Sequence, residues 1–71
     1  MQLHEVIWID PDRLGGTPCF RGTRIPVRLL IDYLEAGKSV DEFLRQYPDL
    51  SPALVKAYLR LAHEHLLASA Q

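Results

Sequence analysis

Two hydrophobic periods divide this chain. From Val27 onward the apolar positions fall at helical spacing: Val27, Leu30, Ile31 and Leu34 stand at i, i+3, i+4 and i+7, with Gly37 as the stop. That pattern predicts a helix of about ten residues with those four side chains turned inward. Ser39-Val40-Asp41-Glu42 has the S-x-x-E form of a capping box and opens a second helix. It carries Val40, Phe43, Leu44 and Tyr47 inward and ends near Tyr47, because Pro48 disfavours a helical residue before it. Ser51-Pro52 starts a third helix, with Ser51 as N-cap and Pro52 at the first helical position, where a missing donor costs nothing. Leu50 and Val55 occupy the two positions of a hydrophobic staple. The stripe Leu54, Ala57, Tyr58, Leu61, Ala62, His65 extends this helix and can continue it to Ala68.

Upstream of Val27 the helical period is missing. Val6-Ile7-Trp8-Ile9 is a short run rich in β-branched and aromatic residues, closed by the turn composition Asp10-Pro11-Asp12, and predicts one strand. Cys19-Phe20 and Arg24-Ile25 are long enough only for very short extended pieces that could pair with it. An isolated two-stranded ribbon is marginal in water, so this one must lie on the helices or pair with its copy in a second chain. The stretch from Gly15 to Val27 holds three of the four glycines and two of the five prolines. Gly15-Gly16 supplies positive φ for a tight turn, Gly22-Thr23 permits a second reversal, and Pro18 and Pro26 fix φ on either side. The expected fold is mainly α and a single domain: a short β arm or hairpin over residues 1–26, then a three-helix bundle over 27–71.

Composition narrows this picture. Seventy-one residues lie near the lower limit for a self-sufficient core, and a net charge of −1 gives no general case for nucleic acid or an anionic membrane. Basic character is local: between Arg13 and Arg28 there are four arginines and no acidic residue. A single cysteine forms no intramolecular disulfide, no apolar run reaches the ~20 residues of a bilayer span, and no signal-peptide pattern is present, so a cytoplasmic protein is expected.

Candidate chemistry follows the charge. The second and third helices have the proportions of a helix-turn-helix, in which the third would be the recognition helix. Its outward residues Lys56 and Arg60, with Ala53 between them and the helix start, Ser51 at the cap and Arg45 on the preceding helix, are the candidate DNA contacts. Structural packing without any nucleic acid is the competing reading, since two basic residues are few among phosphates. In the arm, Arg21 and Arg24 flank Gly22-Thr23. Guanidinium groups on a constrained loop match phosphates or carboxylates in a bidentate fork, so Arg21, Gly22, Thr23 and Arg24 are the candidate partner-binding residues. The alternative is that Arg24 bonds the loop's own carbonyls and holds its shape. Trp8 is either a core anchor or a contact residue. His63 and His65, two apart on a helix, point in different directions and make no metal site; His4 lies in a loose N-terminus; Cys19 reads as a small buried residue. No nucleotide, zinc or catalytic constellation is present, so neither cofactor nor enzyme activity is expected.

The run Gly16-Thr17-Pro18-Cys19-Phe20-Arg21-Gly22-Thr23-Arg24-Ile25-Pro26-Val27, preceded by Ile9-Asp10-Pro11 and followed by Gly37-Lys38-Ser39, Tyr47-Pro48 and Leu50-Ser51, closely resembles family 433 of the domains of unknown function. The likeness extends from about Val6 to Leu66; Cys19 and Phe20 stand where aliphatic residues are usual. The resemblance implies a homeodomain-like helix-turn-helix and an antitoxin of the VapB kind, paired with a PIN-like toxin, a metal-dependent ribonuclease. It implies no catalytic residues. On that reading Lys56 and Arg60, supported by Arg45, face operator DNA, while Arg21 and Arg24 face the nuclease. A homodimer is expected, because two recognition helices must sit one DNA turn apart, and the Val6–Ile9 ribbon could join the copies. A regulator without a toxin, or a purely oligomerising module, is the alternative.

Overall fold

The computed structural model describes residues 2–12 and 14–70. Arg13, the first arginine of the basic run, lies outside the described residues. The molecule is mainly helical, with an N-terminal antiparallel hairpin leading into three helices, as the two hydrophobic periods predict. The elements are α1 (Leu3–Val6), β1 (Ile7–Trp8), a 3-10 turn at Leu14–Gly16, β2 (Cys19–Phe20), α2 (Arg28–Glu35), α3 (Val40–Gln46) and α4 (Pro52–Ser69).

The N-terminus differs from expectation. Residues read as loose, including His4, form the single helical turn α1, held by the Gln2 N–H donating to Glu5 Oε1 at 2.7 Å. Val6, read as the first strand residue, ends that turn and is fully buried, its carbonyl accepting from the Arg21 N–H at 2.8 Å. The predicted four-residue strand is therefore halved, and Ile9 emerges 60% exposed. β1 pairs with β2 in antiparallel register, Ile7 opposite Phe20 and Trp8 opposite Cys19. On its other side β2 meets the chain again at a Cys19–Pro26 bridge, so Arg24-Ile25 is a returning arm and not a strand.

The helices begin and end where local chemistry places them. Gly37, at φ +82°, ends α2 in a Schellman arrangement: the Lys38 N–H reaches the Tyr33 carbonyl and the Gly37 N–H the Leu34 carbonyl, each at 3.0 Å. The Ser39 hydroxyl accepts from the Glu42 N–H at 3.1 Å, which caps α3. Ser51 precedes α4 as predicted, with Pro52 in its first turn, but the Ser51 side chain makes no capping bond.

One core joins arm and bundle: Phe20, Val27, Leu30, Phe43, Leu50 and Val55, with Leu29, Tyr33, Leu54, Tyr58 and Leu59 packed around them. Both staple residues, Leu50 and Val55, lie inside it. Phe20 is the junction. Its ring meets Tyr58 edge-on at 5.8 Å and Phe43 at 6.2 Å, so the strand that carries the arginine turn is anchored to α3 and α4. The expected inward stripe of α2 is corrected here. Ile31 and Leu34 are each 37% exposed, while Leu29 and Tyr33 pack on the core with Leu30. Tyr33 meets Phe43 edge-on at 5.2 Å, an aromatic contact that rotates the helix away from the face its aliphatic spacing suggests.

Candidate binding surfaces

The arginine turn is built from its backbone outward. The Thr23 N–H donates to the Phe20 carbonyl at 3.0 Å, closing a four-residue turn with Gly22 at its third position and φ +78°. Positive φ at that position is what a type II turn demands, and glycine meets it without strain. The Phe20 N–H donates to the Ile25 carbonyl at 3.0 Å and closes the wider loop. Thr23 completes the frame: its hydroxyl donates to the Phe20 carbonyl at 2.8 Å and accepts from the Ile25 N–H at 3.0 Å.

Trp8 braces this loop from below. Its indole Nε1–H donates to the Thr23 carbonyl at 2.9 Å, and the Arg21 guanidinium lies 5.9 Å from its ring centroid, within cation–π range. Trp8 is half-buried, so it serves both as anchor and as platform. The sequence carried no signal for this pairing, which depends on the register that sets β1 beside β2. Arg21, Gly22 and Arg24 are exposed and Thr23 is half-buried. Because backbone, Thr23 and Trp8 make the bonds that shape the loop, Arg24 is not its clasp, and its guanidinium is available to a ligand.

The second surface lies on α4. Lys56 and Arg60, four apart, share one exposed helical face, and Ser51, Ala53 and Arg45 in the last turn of α3 are exposed as well. Leu67 falls on the same face two turns beyond Arg60. The surroundings are mixed in charge: Asp41 and Glu42 occupy the first turn of α3, and Asp49 lies in the connection before Ser51. The structure brings Arg21 and Arg24 together in one turn and Lys56 and Arg60 together on one helix, as two separate basic features.

A third surface had no counterpart in the sequence reading. Leu3, Ile7, Tyr58, Leu61, Ala62 and His65 line an open apolar groove of about 460 Å³ between α1 and the middle of α4. Ala62 and His65, expected in the core stripe, are exposed along it. They lie beyond the point at which the bundle's core ends. Cys19 is buried, with its thiol directed to the Thr17 carbonyl at 3.5 Å. Among the described residues no group of histidine, cysteine and carboxylate side chains is placed to hold a metal ion, and no helix is long and apolar enough to cross a membrane.

The profile of a family described as a protein of unknown function, DUF433, matches residues 7–62. The uncharacterized protein y4eO of Sinorhizobium fredii strain NGR234 is 40% identical over 52 residues, which covers 73% of this chain and 24% of that relative. The chain thus spans about a quarter of the relative's length. No solved structure matches.

Proposed function

This chain belongs to the DUF433 family, and from that premise we propose that it is a non-catalytic binding module, the antitoxin of a toxin–antitoxin pair, with α4 turned to operator DNA and the arginine turn to a PIN-like ribonuclease. The observation that carries the reading is the turn itself. Two exposed guanidinium groups stand on a loop whose shape is held by Thr23, Trp8 and the backbone, so little conformational freedom is lost when a carboxylate partner takes them. A metal-dependent nuclease offers such carboxylates at its centre. An arginine placed among them would occupy the position of the metal and keep substrate out. The α4 surface supports the DNA half of the reading more weakly, through Lys56, Arg60, the uncapped hydroxyl of Ser51 and Arg45.

The test is co-expression of the chain with the protein encoded beside it, expected to be a short PIN-like ribonuclease. A stable complex with suppressed ribonuclease activity is expected. Arg21→Ala and Arg24→Ala together should release the nuclease, while far-ultraviolet circular dichroism stays unchanged because both side chains are exposed. Undiminished inhibition by the double variant would remove the arginine turn from the mechanism.

A further inference from the structure

We infer that the chain pairs with a second copy of itself through the C-terminal half of α4, Leu66 of each copy seating in the apolar groove of the other. The first support is surface area. The chain exposes 5087 Å². Folded monomers of its 8.1 kDa mass expose roughly 4,500 Å² by the usual scaling with molecular weight. The excess, roughly 600 Å², approaches the ~800 Å² per partner that a standard stable interface buries. The radius of gyration tells the same story, 12.4 Å against about 11 Å for a compact domain of this length.

The second support is where the excess lies. The helical stripe Val55, Leu59, Ala62, Leu66 begins in the core and runs off its end: Val55 is fully buried, Leu59 half-buried, Ala62 exposed and Leu66 67% exposed. Beside the exposed end of that stripe lies the groove lined by Leu3, Ile7, Tyr58, Leu61, Ala62 and His65, with no acidic, lysine or arginine side chain in its wall.

The third support is shape. A projecting leucine and an apolar groove lie one turn apart on the same face of the same helix. An isologous two-fold contact requires a surface complementary to itself, and this pair satisfies it. With α4 antiparallel to its copy and crossing at Ala62, residues 66 and 58 are equally distant from the axis, so each Leu66 meets the other chain's Tyr58 at the edge of the groove. The small Ala62 side chain lets the helices approach closely at the crossing. Leu67, 100° further around, points with Lys56 and Arg60 and stays outside the contact. The inference does not rest on the antitoxin reading, because it concerns the chain alone.

The experiment is sedimentation equilibrium of the full chain, without DNA or any other protein, over a wide concentration range. The expected species has twice the 8.1 kDa chain mass. Leu66→Glu should raise the dimer dissociation constant on the order of 100-fold or more, since it would bury an unpaired carboxylate in the other copy's apolar groove, with helical circular dichroism unchanged. Leu67→Glu should leave the dimer intact. Should Leu66→Glu lose helical signal, Ala62→Arg replaces it with the same expected dissociation. A monomer at every concentration, a dimer that survives both Leu66→Glu and Ala62→Arg, or equal dissociation by Leu67→Glu would overturn the inference. So would a monomer that captures a different protein through Leu66.

Discussion

Gly22 turns the chain at φ +78°, and a Cβ built there meets no heavy atom within 4 Å. Replacement therefore acts on the backbone alone. Gly22→Ala is expected to destabilise the fold by about 1–2 kcal/mol, the cost of holding an L-residue in the left-handed region, measured as a lower urea midpoint with an unchanged m-value. It should also weaken any interaction that uses the turn, because relaxation of Gly22 moves Arg21 and Arg24 apart. The need for glycine here was legible in Arg-Gly-Thr-Arg. The brace from Trp8 was not, since Trp8 and Thr23 stand 15 positions apart and only the hairpin register brings the indole N–H to the Thr23 carbonyl.

At the scale of elements, two serines with the same apparent role have different ones. Ser39 accepts from the Glu42 N–H and caps α3, whereas Ser51 stands at the start of α4 with no side-chain capping bond. Ser39→Ala is expected to cost about 1 kcal/mol of stability and Ser51→Ala only a few tenths, compared by thermal unfolding under identical conditions. The start of α4 is secured instead by Pro52 in its first turn and by the buried staple of Leu50 and Val55. The Ser51 hydroxyl is then left to solvent or to a ligand. A cap motif in sequence thus locates a helix start correctly without saying which group satisfies it. The same limit applies to α2: its boundaries were legible from Gly37 and the apolar spacing, but its rotation was decided by the meeting of Tyr33 with Phe43.

At the scale of the molecule, Phe20 couples the two basic features, because one buried ring packs on both α3 and α4 while its own strand leads into the arginine turn. Titration against upstream DNA should show affinity falling steeply with salt. In the double variant Lys56→Ala with Arg60→Ala the slope of log affinity against log salt should flatten by roughly two per chain. An unchanged slope would remove α4 from the DNA contact.

The sequence by itself determined the division at Val27, the four positive-φ glycines, the starts of α3 and α4, and the exposed arginines, because each depends on neighbours within a few residues. It also carried the family, since the Gly16 to Val27 run is local and specific. Tertiary structure alone decided the rest. It folded Leu3–Val6 into a turn of helix, rotated α2 onto its aromatic face, set Trp8 beneath the arginine turn, and left Leu66 and the groove uncovered past the end of the core. Those outcomes arise from contacts between segments far apart in the chain. Hydrophobic periodicity says which side of a helix is apolar, but only packing decides how much of that side the domain itself can cover.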